Sequence, residues 1–406
     1  MHQLEGRLLL VPSALSYMTD DQPGFKQATD FQYFTGLSAV VGAVLAMDGR
    51  SGKALLFVPP PDPNLTRWQP SEGAASARRV GVDEVRAIDS LAAWLAARWA
   101  GWPAILVSPT DARGAIDGPL PMARSVVRWS NYLVQRGYTG KVGSASPLTR
   151  PIRGIKDSTE LRIMARIGGM SGKAMLAGMR AVAPGIMQRS VEARVVASCI
   201  EEGGVHSFWP WAMSGPHAVY TDLFDTFVDY DSHNRAMQAG ELVRVDVGCR
   251  HAQYMGDVGR TAPVSGHFTA GQREAWDLFI AGYRAGLALV RDGARVDSVF
   301  AAALARVRAL QPTMRTAEGK RAAEILLAPR GTEAWEMHGV GLDDAEGNMT
   351  ELRAGMVVAY ELMFAVGGNG YYLEDLVQVT PDGFRVLTAG LPYTAEEIER
   401  AMARGK

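Results

Sequence analysis

Asp246 and Asp257 stand eleven residues apart in VRVDVGCRHAQYMGDVGRT, Glu361 and Glu374 stand thirteen apart in AYELMFAVGGNGYYLED, and His338, in MHGVGL, falls between the two pairs. Four carboxylates and one imidazole are a complete donor set for two divalent cations, and hard oxygens with a single nitrogen favour manganese, iron or cobalt, with zinc accommodated. Each acidic spacing predicts two facing positions of a β-hairpin, the first turning near His251 and Ala252, the second at Gly367 and Gly368. Carboxylates gathered so closely repel one another and resist desolvation, so a fold that collects four of them needs cations in compensation. The flanking Val243, Val245 and Val247, and Met356, Val357 and Val358, predict buried strands that carry the acids inward.

The elements that position these residues divide the chain into two predicted domains, 1–150 and 151–406. The first alternates strand-like runs (LLLVP, VVGAVLAM, ALLFVPP, AILVSP) with helical stretches such as Ser90 to Trp99, an α/β pattern. It carries no GxGxxG after a strand and no GxxxxGK[ST], so phosphate cradling has no support there. In LTRPIRGIKDSTELR, Pro147, Pro151 and Gly154 are expected to break regular structure before Asp157, Ser158 or Thr159 caps a helix. Helices over Thr159 to Ala181 and Ser190 to Gly203, and the helical spacing of Trp276, Phe279, Ile280, Tyr283, Leu287 and Val290, predict long helices over antiparallel strands, an α+β arrangement. Each part of this half reads as helix followed by acidic hairpin, which suggests two related units closing on one site.

Composition narrows the function classes. The chain has 406 residues, 47% apolar and 21% charged, with a net charge of -1. That is ordinary for a globular protein and gives no field to gather nucleic acid or an anionic membrane. No run of eighteen apolar residues occurs, and MHQLEGRLLLVPSALSY lacks the basic opening and cleavage pattern of a secretory signal. Cys199 and Cys249 are the only cysteines, too few for a disulfide framework, and a reducing cytoplasm is expected.

The segments LVRVDVG, GDVGRT, MHGVGL, GMVVAYE and YYLEDLVQVTPDG resemble the metal-ligand segments of the pita-bread metallopeptidases, the group of aminopeptidase P, prolidase and methionine aminopeptidase. FKQATDFQYFTGL and LFVPPPDPNLTRW in the first half, and LTAGLPYTAEEIERAM at the end, resemble aminopeptidase P, so the likeness spans nearly the whole chain. It implies a C-terminal pita-bread domain behind a smaller α/β domain. It also implies two divalent metal ions: Asp246 chelates one, Asp257 and Glu374 bridge, and His338 and Glu361 hold the other. A water between the ions would lose a proton near neutral pH and attack the carbonyl, with Glu361 relaying the proton. The activity implied is that of a Xaa-Pro aminopeptidase acting on a small peptide, as a homodimer or homotetramer.

Departures from the family pattern surround this intact ligand set. The family's second histidine, seven residues after the ligand, is Ala345 here; a further histidine four residues before it is Ala334; an arginine two residues before the last glutamate is Tyr372; and EPG is ELM from Glu361 to Met363. These changes suggest altered substrate handling. They leave two alternatives open: a hydrolase or lyase of a non-peptide small molecule on the same fold, or a binding protein without turnover. His217 and His233 lie near another family histidine without keeping its spacing. Each is ordinarily an exposed loop residue, yet either can be displaced into the site. Asp343 and Asp344 offer a replacement base or a solvated turn, and Asp344 and His233 stand next after Glu361 as proton-relay candidates. Trp209 and Trp211 suit a pocket wall or the core. Arg260 is expected to orient the acidic hairpin through charge-assisted hydrogen bonds.

Overall fold

Leu8, Leu10, Leu9 and Val11 alternate between two buried clusters on opposite sides of one sheet, which is why the first strand reads as an unbroken apolar run. In the computed structural model of the chain, the described residues are 1–15, 25–108, 125–218, 229, 231–328, 334–347 and 349–403. They form two units, Met1–Arg153 and Gly154–Lys406.

The first unit holds β1 (Leu8–Pro12), α1 (Thr29–Thr35), β2 (Val44–Asp48), β3 (Lys53–Val58), α2 (Ala74–Val80), β4 (Glu84–Ala87), α3 (Leu91–Ala96), β5 (Ala104–Val107), α4 (Ser125–Val134), β6 (Lys141–Ser144) and α5 (Ser146–Gly154). Its six strands run in the order β4-β3-β2-β1-β5-β6, antiparallel from β1 to β3 and parallel outside them. Phe31 of α1 and Ala77 of α2 cover one face; Leu91 and Trp94 of α3 and Leu133 of α4 cover the other. The segment expected to be broken by Pro147 and Pro151 is instead the helix α5. Pro147 sits in its first turn, where a missing N–H costs nothing, and only Pro151 interrupts the ladder of a helix too short to depend on it.

The second unit begins with α6 (Ser158–Ala181), whose N-cap is Asp157: its carboxylate accepts from the Thr159 and Glu160 amides while Glu160 accepts from the Asp157 amide. Then come α7 (Gln188–Glu201), β7 (Val205–His206), β8 (Trp211–Ser214), β9 (Leu242–Val247), β10 (Cys249–His251), β11 (Tyr254–Met255), β12 (Val258–Pro263), α8 (Ala270–Leu287), α9 (Val296–Leu310), α10 (Ala317–Leu327), β13 (Ala334–Gly339), β14 (Val357–Val366), β15 (Asn369–Val379), β16 (Phe384–Val386) and α11 (Ala395–Ala403). The main sheet is antiparallel, β13-β14-β15-β12-β9-β8, with β16 on β15. Helices pack behind it: Gly178 of α6 lies against Val195 of α7 and Val245 of β9, and the Tyr283 ring of α8 stacks on Tyr360 at 4.5 Å. Among the described residues no helix is long and apolar enough to cross a membrane.

The two cysteines form a disulfide, Cys199 of α7 to Cys249 of β10, with Cα atoms 5.4 Å apart. This corrects the expectation of unpaired thiols. A separation of 50 residues carries no pairing signal in the sequence, and they meet because β10 pairs with β7, on which α7 packs.

Candidate metal centre

The hairpin of β14 and β15 turns at Gly367 and Gly368, with φ of 59° and 79°. A two-residue turn of this hand requires left-handed backbone at both positions, which glycine supplies without strain. The register follows, and Glu361 faces Glu374 directly, as the thirteen-residue spacing predicts. The other acidic pair differs from expectation. Asp246 faces Gly259, and Asp257 lies just before β12, two positions short of facing it. The turn centres on Ala252 and Gln253, whose φ values are 50° and 73°, one residue later than His251 and Ala252. Neither residue type announces left-handed backbone, so the sequence offers no marker for the turn's centre.

One row now crosses the sheet: Trp211, Asp246, Gly259, Glu374, Glu361 and Glu336 occupy successive paired positions on β8, β9, β12, β15, β14 and β13. His338 Nε2 lies 3.4 Å from Glu361 Oε1, 3.9 Å from Asp257 Oδ2 and 3.9 Å from Glu374 Oε1. Ligand atoms of Asp257, His338 and Glu374 all lie within 4.8 Å of one another. All but Asp246 are nearly buried, and Asp246 Oδ1 is buried with no hydrogen-bond partner among the described residues. A buried carboxylate oxygen without a donor is costly unless a cation supplies the missing partner, so these residues fit divalent metal.

The electrostatics agree. Burial first, then the charge of Glu361, pushes the Asp246 carboxyl up to about 7. Burial and the charge of Asp246 hold Asp257 well above the usual carboxylate range, and burial with the charges of Asp257, Glu361 and Asp246 does the same to Glu374. Burial alone would lower His338, but its hydrogen bond to Glu361 and the charges of Glu361 and Asp257 outweigh it and push the imidazole up to about 10. An imidazolium cannot ligate a metal, so cation binding has to displace that proton.

The auxiliary candidates separate. Asp343 and Asp344 are both buried, which overturns the solvated-turn reading. Asp344 acts on the acidic row, since its charge raises both Asp246 and Asp257. The loop that carries it is pinned: Lys156 Nζ reaches Glu346 Oε2 at 2.6 Å with both side chains almost fully buried, and Glu346 Oε1 accepts from the Leu342 amide at 3.2 Å. His233 has its Nδ1 2.7 Å from Asp229 O and its ring 5.3 Å from that of His217. Both imidazoles line a small cleft with Gln188, Glu192 and Trp211, the strand partner of Asp246. Trp211 is buried in the row beside Asp246, whereas Trp209 is exposed and donates to Glu192 Oε2 at 3.1 Å. Arg260 ties β12 to β15 from the back of the sheet through the carbonyls of Gly259 and Glu374 and the Asp375 carboxylate at 2.7 Å. Sequence reasoning missed Arg244, which shares the site face two residues before Asp246 and lowers its carboxyl, and it read Tyr372 only as a loss. The period-two alternation of β9 and β15 held the signal for both.

Comparison with known proteins places the segment that carries these residues in a known family. The model of metallopeptidase family M24 matches 162–381, and that of the aminopeptidase P N-terminal domain matches 1–105. Mouse Xaa-Pro aminopeptidase 3 is 25% identical over 419 residues, covering 96% of this chain and 79% of the mouse protein. The Escherichia coli Xaa-Pro aminopeptidase is 23% identical over 430 residues, covering 98% and 94%. The solved structure of E. coli aminopeptidase P with the inhibitor Pro-Leu superposes with a TM-score of 0.75 at 23% identity, covering 98% of this chain and 94% of that one, and establishes the shared fold.

Proposed function

The chain belongs to metallopeptidase family M24, and from that premise we propose that it is a dinuclear metallo-aminopeptidase that removes the N-terminal residue of short peptides with proline second, with a substrate preference shifted from that of its relatives. The observation that carries this reading is the convergence of Asp257, His338 and Glu374 beside Asp246, whose buried oxygen has no donor. In it Asp246, Asp257, His338, Glu361 and Glu374 hold two divalent ions, manganese by preference for oxygen donors. When bound, the ions supply Lewis acidity and activation of water near neutral pH.

The chain's own residues do the rest. Glu361 turns Oε1 toward His338 and has its second oxygen to carry a proton to the leaving nitrogen. Asp344, buried beside Asp246 and Asp257, stands where a second proton carrier is needed, next to Ala345, the position of the missing imidazole. His233 and its neighbour His217 are assigned no step. The shifted preference rests on Ala345 and Tyr372, and assembly as a dimer or tetramer belongs to the same reading. Cytoplasmic placement loses the support of unpaired cysteines, because Cys199 and Cys249 are joined.

Metal content and hydrolysis of matched Xaa-Pro and Xaa-Ala peptides by purified protein test the proposal. Up to two ions per chain and measurable but weak cleavage of Xaa-Pro peptides are expected. Two ions with no cleavage of any peptide would move the site to a non-peptide substrate.

A further inference from the structure

Tyr372 precedes Glu374 by two residues on β15, so both side chains leave the same face of the sheet. Its hydroxyl donates to Glu374 Oε2 at 2.8 Å, while Glu374 Oε1 is the oxygen 3.9 Å from His338 Nε2. The phenol therefore fixes which oxygen of Glu374 turns toward the cluster. The ring reaches this position because β12 has a glycine opposite Glu374: a Cβ on Gly259 would fall 1.9 Å from the Tyr372 ring. Tyr372 is further locked by its amide donating to Thr261 Oγ1 at 2.7 Å, and the Arg244 guanidinium lies 5.5 Å from the ring centroid. A buried hydroxyl is costly to carry, and a phenylalanine would fill the same space without it.

We propose that Tyr372 is a positioning residue of the metal site: its hydroxyl orients the Glu374 carboxylate for divalent cations, and Gly259 admits its ring. The proposal rests on the dinuclear reading above. Partners that orient a ligand in this way typically account for about 10- to 100-fold in metal affinity.

The experiment is a calorimetric titration of chelator-stripped protein with Mn2+, comparing wild type, Tyr372→Phe and Tyr371→Phe, with thermal unfolding of each metal-free protein alongside. Tyr371 is the control. It is an equally buried neighbour on the opposite face, whose hydroxyl donates to Glu318 Oε1 at 2.6 Å, so its loss removes a partly buried phenol hydrogen bond without touching the site. Tyr372→Phe is expected to bind at least one ion about 10- to 100-fold more weakly, with Tyr371→Phe at wild-type affinity. Gly259→Ala, which displaces the ring and leaves the hydroxyl in the chain, is expected to weaken binding in the same direction. Wild-type affinity in Tyr372→Phe, or an equal loss in Tyr371→Phe, overturns the proposal while leaving the metal site standing. A wild-type protein that takes up no Mn2+ is a different result and sinks the dinuclear reading itself.

Discussion

Stripping the cations makes the stability of this protein fall as pH rises, and the direction is set by the acidic row. The folded Asp246 carboxyl titrates at about 7 against an ordinary 3.8. An acid whose folded value lies above its unfolded one keeps a proton that the unfolded chain has already lost, so stability present below about pH 4 disappears as pH climbs to 7. About three pH units at 1.36 kcal/mol each give roughly 4 kcal/mol from Asp246 alone. Asp257 and Glu374 are raised as well and act in the same direction. His338 adds to the loss at higher pH: its folded value of about 10 lies above 6.5, so its contribution is whole below 6.5 and gone above 10.

Denaturant unfolding between pH 4 and 8 provides the assay, run with chelator and with saturating Mn2+, on wild type and Asp246→Asn. The metal-free wild type should lose stability over this range by at least the order of the Asp246 figure. Asp246→Asn should lose distinctly less, and bound metal should flatten the wild-type profile, because cations pair with the carboxylates once their protons leave. Parallel metal-free profiles for wild type and Asp246→Asn would refute the reasoning, as would a metal-loaded profile as steep as the metal-free one.

Three further outcomes are expected. Asp257→Ala and Glu374→Ala should each lose the paired ions, and two ions per chain by mass spectrometry of metal content in both variants would overturn the bridging assignment. Glu361→Gln should lower kcat by at least about 100-fold with a much smaller change in KM, since an amide cannot relay a proton; near-normal turnover with metal retained would pass that role to Asp344. Ala345→His should raise kcat/KM on Xaa-Pro peptides by up to about 100-fold, the scale of one preorganised donor, and no gain would remove Ala345 as a cause of shifted preference.

The acidic row was legible where the sequence marked its turns and illegible where it did not. Gly367 and Gly368 lie at the midpoint between Glu361 and Glu374, and paired glycines are what a tight hairpin needs, so that register could be read directly. Ala252 and Gln253 adopt the same left-handed backbone without the residue types that signal it, and the Asp246 strand was placed two positions out of register. A helix over Pro151 and a disulfide spanning 50 residues were invisible for a related reason. Both depend on tertiary packing that local propensity does not encode. Buried Asp343 and Asp344 look like turn residues in the sequence, because the clamp that pins their loop is Lys156, 190 residues upstream of Glu346.

Glu374 and Asp375 show why acidity by itself does not identify the site. They are adjacent, both essentially inaccessible, and on opposite faces of β15. Asp375 is met by Arg260 at 2.7 Å, Thr388 at 2.9 Å, and the hydroxyls of Tyr283 and Tyr393 at 3.0 and 2.6 Å, so the fold itself answers its charge. Glu374 receives a single phenol and three neighbouring carboxylates that push its protonation upward. A buried acid with a full set of donors is structural, and one left among like charges is a candidate to hold a cation. The same contrast sorts Arg260, spent on Asp375 behind the sheet, from Tyr372, whose hydroxyl is turned to the ligand row in front of it.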